Sequence, residues 1–150
     1  MTGEVLVEQE LEIEAPIETV FGLLTDARGL LEWMAVEAEC EPAVGGRLRW
    51  RHEDGSIMSG RFTSLEPPRR LAFTYGWEQG GLDVPPGSTH VVIELEERGG
   101  VTRLRLVHSR LPEPLAERHR QGWVYFLGRL ADRARAGPGT GRLPDEECRR

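Results

Sequence analysis

Lysine is absent from this chain of 150 residues, and all nineteen of its basic residues are arginine. An apolar run of the ~20 residues that a helix needs to cross a bilayer is also absent, so a membrane span is not expected. The opening sequence, MTGEVLVEQE, lacks the positive and apolar regions of a secretory signal, which favours a cytoplasmic protein. The two cysteines, Cys40 and Cys148, are too few for a disulfide framework, and we expect free thiols.

The motifs of several enzyme classes are missing as well. The chain contains no G-x-S-x-G element, no P-loop and no G-x-G-x-x-G loop, so a hydrolase, a nucleotidase or a dehydrogenase has no motif to support it. Histidines and cysteines do not recur at the short spacing of metal ligands. We therefore expect neither a metal nor a cofactor.

Negative charge is concentrated near the N-terminus. Residues 1–41 carry eleven acidic side chains and one basic side chain, Arg28, although the net charge of the whole chain is only −6. Nucleic-acid binding depends on clustered cations that release counterions from phosphates, so this composition argues against a nucleic-acid partner. We interpret the acidic segment as the solvated face of a strand.

Length and composition are those of one ordinary globular domain, with 39% hydrophobic and 29% charged residues. We expect this domain to cover residues 1–135. The remaining residues, 136–150, have no apolar stripe and are rich in glycine, proline and charge, which predicts a flexible tail.

Hydrophobic spacing predicts the order of the elements. Apolar and acidic residues alternate over residues 5–14, which is typical of a half-buried strand. Pro16 fits the first position of a helix, while Thr25 and Asp26 fit the cap of a second short helix that runs towards Trp33. Six further strands are predicted near residues 37–41, 47–52, 57–65, 70–77, 89–97 and 101–109.

A long amphipathic helix is predicted from Pro112 to Arg135, because apolar residues recur there at intervals of three and four. This order of elements indicates an α+β fold in which a curved seven-stranded antiparallel sheet wraps around the C-terminal helix. A curved sheet does not contact a straight helix everywhere, so we expect a cavity between them. The polar segment 78–88, which joins two strands, is a candidate lid.

Four segments and one tryptophan, taken in order, resemble a known superfamily. They are IEAPIETVFGLLTD (13–26), Trp33, GRFTSLEPPRRLAFTYGW (60–77), GGVTRLRLVHS (99–109) and GWVYFLGRLAD (122–132). Their order and spacing are similar to those of the helix-grip superfamily, also called SRPBCC, START-like or Bet v-like. Within it, the chain most resembles the bacterial group related to the activator of a heat-shock chaperone ATPase.

The resemblance implies a cavity, which in various relatives holds lipids, sterols, polyketides or other apolar small molecules. It does not indicate a reaction, because the superfamily includes carriers, polyketide cyclases and chaperone co-factors and shares no catalytic motif. We expect this chain to bind an apolar or amphipathic small molecule that is lipid- or polyketide-like. A cyclase- or isomerase-like enzyme and a co-chaperone that regulates a heat-shock chaperone ATPase are the alternatives. The oligomeric state stays open, a homodimer included.

Large rings and histidines with inward spacing are the candidate ligand-binding residues. They are Trp33, Trp50, His52, Met58, Phe73, Tyr75, Trp77, His108, His119, Trp123 and Phe126. An apolar pocket with a few polar groups is what a small-molecule site requires. The same spacing is also typical of solid core, so both interpretations stand at this point.

Three of these residues, His52, His108 and His119, bring imidazoles towards one space, where a group with a pKa near neutrality would suit proton transfer. A hydrogen-bonded core histidine is the alternative for each of them. His90 begins a strand beside the candidate lid, and we expect it to be exposed.

The arginines of GRLRWR (46–51) alternate with apolar residues, so we expect them on the outer, solvated face of the sheet. We also expect the first strand to lie beside the last one. This arrangement would place the glutamates of residues 8–14 near Arg103 and Arg105, where cross-strand pairs of opposite charge are mildly stabilising.

Overall fold

The computed structural model describes residues 4–78 and 84–136. Its strands are β1 (Glu4–Ile13), β2 (Glu37–Cys40), β3 (Arg47–Arg51), β4 (Ile57–Glu66), β5 (Arg70–Tyr75), β6 (Thr89–Arg98) and β7 (Val101–Pro112). The helices are α1 (Ile17–Thr25), α2 (Ala27–Trp33) and α3 (Glu113–Arg135). The strands form one antiparallel sheet in the order β1-β7-β6-β5-β4-β3-β2, which confirms the predicted α+β fold.

The first strand lies beside the last strand, as predicted. In the β1–β7 pair, Glu10 is opposite Arg105 and Glu12 is opposite Arg103. Arg105 forms ion pairs with Glu8 and, at 3.7 Å, with a glutamate of β6. The alternating acids of the N-terminal segment therefore face cations on the outer surface of the sheet.

The arginines of β3 also lie on the outer face, as predicted. Each forms an ion pair with a carboxylate: Arg47 with Glu39 at 3.5 Å, Arg49 with Glu78 at 2.6 Å and Arg51 with Glu37 at 3.0 Å. The apolar residues that alternate with them, Leu48 and Trp50, are buried.

Helix α1 begins one residue later than its sequence signal indicated, whereas α2 begins directly after the predicted cap residue Asp26. Helix α1 begins at Ile17, and Pro16 is its N-cap with extended backbone angles, not its first helical residue. Thr25 is the last residue of α1, and its hydroxyl donates to a carbonyl one turn earlier, so it does not cap the next helix. Asp26 is the N-cap of α2, although its side chain makes no capping hydrogen bond.

Helix α3 begins at Glu113, one residue later than predicted, because β7 continues through Pro112. It packs along β1 and β7 and contacts both short helices. Its buried residues recur at intervals of three and four and are His119, Trp123, Leu127, Leu130 and Ala134. This stripe faces the concave side of the sheet and closes the core.

Strands β3 and β5 each end earlier than predicted, and both ends bear on the site described below. Strand β3 ends at Arg51, because the chain turns there and the His52 amide donates to the Ser56 carbonyl at 2.8 Å. Strand β5 ends at Tyr75, and Trp77 pairs with β4 only through an isolated bridge.

Parts of two predicted segments lie outside the described residues. The candidate lid, 78–88, is described only at its two ends, since residues 79–83 are not included. Its second part returns to the sheet, where Val84 is fully buried and its carbonyl accepts from the Trp77 amide at 2.7 Å. The predicted tail, 136–150, lies outside the described residues except for Ala136, and so does Cys148.

Candidate functional site

A cavity of about 800 Å³ lies between the sheet and α3, at the end of the molecule that carries the β3–β4 hairpin. Its wall is built from the link after α2, the hairpin between Trp50 and Ile57, and one face of α3 from Arg118 to Arg129. Tyr75 at the end of β5 and Trp77 just after this strand complete it. A cavity of this size is within the range that encloses a drug-sized molecule.

Seven of the eleven residues proposed from the sequence line this cavity. They are Trp50, His52, Tyr75, Trp77, His119, Trp123 and Phe126. The other four do not line it and are Trp33, Met58, Phe73 and His108. The structure therefore brings two neighbouring groups together, a cavity wall and a layer of core behind it.

The residues behind the wall are buried in the hydrophobic core. Trp33 is 1% exposed, and its indole N–H donates to the Leu23 carbonyl at 2.8 Å. Met58 and Phe73 are also buried, and Phe73 packs its edge against Trp50 with ring centroids 6.2 Å apart. These three residues support the wall, and core packing accounts for their spacing in the sequence.

Three tryptophans at the cavity each donate the indole N–H to a histidine. The distances are 3.0 Å from Trp50 Nε1 to His52 Nε2, 3.2 Å from Trp77 Nε1 to His119 Nε2 and 3.0 Å from Trp123 Nε1 to His108 Nδ1. An indole N–H is a donor only, so the histidine nitrogen in each pair accepts and carries no proton. The pairs hold both kinds of ring in fixed positions.

Two of these histidines use their second ring nitrogen as well. His119 Nδ1 lies 2.9 Å from the Leu115 carbonyl, so this nitrogen carries the proton and donates it. His108 Nε2 lies 2.8 Å from Oγ1 of Thr89, whose own O–H donates to the Tyr75 carbonyl at 2.8 Å. His108 Nε2 is therefore a donor, and this network assigns the neutral form to both imidazoles.

Burial lowers the pKa of all three histidines at the site. For His108 it lowers the pKa to about 3, with a smaller contribution from the neighbouring His119. The pKa of His119 is lowered by burial against the opposing hydrogen bond to the Leu115 carbonyl. Burial likewise lowers the pKa of His52, while the charge of Asp54 opposes the shift. The imidazoles therefore stay uncharged at neutral pH.

Tyr75 lies at the centre of the three pairs. Its ring centroid is 4.4 Å from that of His108, 5.6 Å from that of Trp77 and 6.0 Å from that of Trp123. The residue is only 5% exposed, and burial raises the pKa of its phenol, so the hydroxyl keeps its proton. In the described part of the chain, no group hydrogen-bonds this hydroxyl, although a buried tyrosine O–H normally has a partner.

Among the described residues, charged side chains line only the exposed rim of the cavity. They are Glu53 and Asp54 on the hairpin and Arg118 and Arg129 on α3. Arg129 is held in place beneath Tyr125, with its guanidinium carbon 5.9 Å from the ring centroid. The buried part of the wall is therefore uncharged and mostly aromatic, which suits an apolar or amphipathic molecule.

Several lining residues were not predicted from the sequence. On α3 these are Arg118, Gly122, Tyr125 and Arg129, which recur at intervals of three and four. Helical spacing was a signal that would have found them. The link at residues 34–36 and the hairpin residues 53–57 carry no such signal, because only the tertiary fold brings them to the cavity.

The described residues do not support a metal site, a membrane-spanning helix or a reactive cysteine. Within residues 4–78 and 84–136, no cluster of histidine, cysteine and carboxylate side chains could hold a metal ion. No helix in that part of the chain is long and apolar enough to cross a membrane. The Cys40 thiol donates to the Thr25 carbonyl at 3.2 Å, and burial raises its pKa to about 11, so it is a poor nucleophile.

A comparison with protein families identifies the family of this chain. The model of the family described as Activator of Hsp90 ATPase homolog 1-like protein matches residues 14–135. The chain belongs to this family. The resemblance found in the sequence is thereby confirmed. No match was found among the curated proteins.

Solved structures of this Hsp90-activator-like fold are similar to the chain over most of its length. The Aha1 dimer of Colwellia psychrerythraea is 24% identical with a TM-score of 0.75, over 90% of this chain and 99% of that chain. PFC0360w, an HSP90 activator from Plasmodium falciparum, is 25% identical with a TM-score of 0.69, over 84% and 93%. DynU16, from the dynemicin biosynthetic locus, is 26% identical with a TM-score of 0.73, over 85% of this chain and 46% of that chain. The chain therefore spans less than half of DynU16.

Proposed function

We propose that this protein binds an apolar or amphipathic small molecule, lipid- or polyketide-like, in the cavity between the sheet and α3. The observation that carries the proposal is Tyr75, a lining residue of a cavity of about 800 Å³ that is 5% exposed and whose hydroxyl has no hydrogen-bond partner among the described residues. A buried polar group without a partner costs free energy, so it is expected where a ligand supplies the partner. The similarity to DynU16, from a biosynthetic locus, also supports a small-molecule ligand.

Two glycines on α3 provide a matched test of this proposal. Gly122 lines the cavity and Gly128 lies on the exposed face of the same helix, and a Cβ at either position would meet no atom within 4 Å. Leucine at Gly122 projects into the cavity and takes up ligand space, whereas leucine at Gly128 projects into solvent. Both substitutions suit a helix, since leucine is a better helix former than glycine.

The measurement is titration with N-phenyl-1-naphthylamine, an uncharged aromatic dye that fluoresces in apolar surroundings. Wild type is expected to bind it saturably, Gly122→Leu to bind it at least tenfold more weakly, and Gly128→Leu to bind it within twofold of wild type. Circular dichroism checks that both variants keep the fold. Absence of saturable binding to wild type, or equal binding by both variants, would contradict ligand binding in this cavity.

A co-chaperone role is the second candidate, and the similarity to the HSP90 activator PFC0360w favours it. Such a role would use exposed residues, and apolar ones are available near the cavity rim at Val36, Val124 and Tyr125, which are 47%, 49% and 59% exposed. Stimulation of an Hsp90 ATPase that survives Gly122→Leu would assign this role to the surface instead of the cavity.

An enzyme of the cyclase or isomerase type receives less support from the site. Acid–base catalysis requires a nitrogen or oxygen that is free to exchange a proton with the substrate. His108 and His119 use both ring nitrogens in hydrogen bonds, and His52 Nε2 accepts from the Trp50 indole. We therefore propose a binding protein and assign no catalytic residue.

A further inference from the structure

The inner wall of the cavity is made chiefly of rigid rings. Trp50, Trp77 and Trp123 are each fixed by a hydrogen bond to a histidine, and Phe126 packs against His52 with ring centroids 5.0 Å apart. Flat, preorganised aromatic surfaces stack well on a flat ligand, and neither partner loses much conformational freedom. A flexible alkyl chain would lose rotational freedom on binding and gain no stacking.

Hydrogen-bonding capacity on this wall is almost fully used. The indole N–H groups of Trp50, Trp77 and Trp123 are donated to imidazoles, and both nitrogens of the buried His119 have partners. Among the buried side chains that the structure describes on the wall, only Tyr75 keeps an unused polar group. Because burial holds its phenol in the protonated form, Tyr75 offers a hydrogen-bond donor to whatever enters.

The acceptor that meets this donor must be uncharged. An anion beside Tyr75 would lie among neutral imidazoles and indoles, where the loss of hydration has no compensating charge. The cations Arg118 and Arg129 lie on the exposed rim, so a charged part of a ligand would stay there. A carbonyl oxygen on a ring system satisfies both conditions.

We infer, building on the proposed function, that the ligand class is a flat polycyclic aromatic compound with a ring carbonyl, and that the Tyr75 hydroxyl donates to this carbonyl. Tyr75 then makes the site bind a ring compound with a carbonyl more tightly than a hydrocarbon of the same shape. The aromatic wall supplies most of the affinity, and the single hydrogen bond supplies the selectivity.

A matched pair of compounds tests this inference. Fluorenone and fluorene have the same three-ring outline and differ in the carbonyl, and each is titrated as a competitor of bound N-phenyl-1-naphthylamine. In wild type, fluorenone is expected to bind more tightly than fluorene. Tyr75→Phe is expected to weaken the binding of fluorenone roughly threefold to tenfold, which corresponds to the net contribution of one hydrogen bond. The binding of fluorene is expected to stay within twofold of its wild-type affinity.

The matched control variant is Tyr125→Phe. It makes the same chemical change at a lining tyrosine that is 59% exposed on the rim, and it is expected to leave the ratio of the fluorenone and fluorene affinities within twofold of that in wild type. Laurate serves as a flexible apolar competitor and is expected to displace the dye less well than either ring compound.

The outcomes separate this inference from the proposed function. Wild type could bind the dye while Tyr75→Phe changes the affinities for fluorenone and fluorene equally, or changes neither. In that case the Tyr75–carbonyl contact is wrong, whereas the proposal of ligand binding in the cavity stands. Laurate that competes as well as fluorenone would overturn the preference for rings. If wild type binds no aromatic compound, the inference and the proposed function fall together.

Discussion

Two buried hydroxyls lie close to each other at the site and differ in their partners. The Thr89 hydroxyl is 2.8 Å from the Tyr75 carbonyl and 2.8 Å from His108 Nε2, so it both donates and accepts. The Tyr75 hydroxyl has no partner among the described residues. Removal of the Thr89 hydroxyl therefore breaks a hydrogen-bond network, whereas removal of the Tyr75 hydroxyl takes away a group that has no partner there.

The unfolding free energy of the unliganded protein should report this difference. Thr89→Val is expected to lower it by roughly 1–3 kcal/mol, because the substitution leaves a buried imidazole N–H and a carbonyl unpaired. Tyr75→Phe is expected to leave it unchanged or to raise it by about 1 kcal/mol, as is common where a group serves binding and not stability. Urea unfolding followed by circular dichroism measures both values. A loss for Tyr75→Phe as large as that for Thr89→Val would show that an ordered water already satisfies the phenol.

Alternation along the strands predicted which rings face inward but not which of them line a cavity. Phe73 and Tyr75 are on the same face of β5, yet one lies in the core and the other on the wall, because the position of α3 decides where the interior opens. The hydrogen bonds between indoles and imidazoles could not be predicted from the sequence for a similar reason. Trp77 and His119 are 42 residues apart, and no local pattern pairs them.

At the scale of elements, Gly76 allows the segment after β5 to approach the segment that returns to β6. A Cβ at Gly76 would lie 1.9 Å from the Pro85 carbonyl oxygen, which no side chain tolerates without a backbone shift. The close approach lets the Trp77 amide donate to the Val84 carbonyl. This contact holds Trp77 at the cavity although β5 has already ended.

Alanine at Gly76 should therefore harm both the fold and the site. Gly76→Ala is expected to lower the unfolding free energy by roughly 1–3 kcal/mol, because the overpacked segment must move. It should also weaken binding of N-phenyl-1-naphthylamine, because Trp77 moves with the segment. Gly22→Ala is the control, since Gly22 is an exposed residue of α1 with no atom within 4 Å of a Cβ. This substitution should raise the unfolding free energy by about 0.5–1 kcal/mol. Thermal unfolding of Gly76→Ala equal to wild type would contradict the close approach.

The order and type of the elements followed from the sequence, whereas their ends did not. Periods of two and of three to four residues are set by which face of an element is buried, and that information is local. The end of β3 at Arg51 depends on the hairpin turn, and the start of α3 at Glu113 depends on how far β7 stays paired with β1. Pairing partners far along the chain set such ends.

On the scale of the whole molecule, the outer face of the sheet carries a chain of ion pairs across five strands. It runs from Glu8 to Arg105, then to Glu94 at 3.7 Å, to Arg70 at 3.6 Å and to Glu66 at 4.0 Å. Each member is at least one third exposed, so solvent screens every pair and each contributes little. This series of ion pairs nevertheless gives Glu8 of the acidic N-terminal segment a partner within the protein, which accounts for part of the charge asymmetry.

The inner face has the opposite character, because its histidines are kept neutral, and this makes folding sensitive to acid. In the unfolded chain a histidine titrates near pH 6.5, whereas folding lowers the pKa of His108 to about 3. Between these values the unfolded state binds a proton that the folded state does not, so stability falls as pH decreases from about 6.5 towards 3. The lowered pKa values of His52 and His119 act in the same direction.

The measurement is the unfolding free energy between pH 7 and pH 5, a window in which His108 alone should account for about 2 kcal/mol of lost stability. Carboxylates contribute mainly at lower pH, as for Glu117, whose pKa is lowered to about 2 by Arg120. His108→Gln should reduce the slope in this window, because glutamine accepts from Trp123 and donates to Thr89 without titrating. A slope unchanged by His108→Gln would mean that folding does not lower the pKa of His108, and the neutral wall from which an uncharged ligand was inferred would then be wrong.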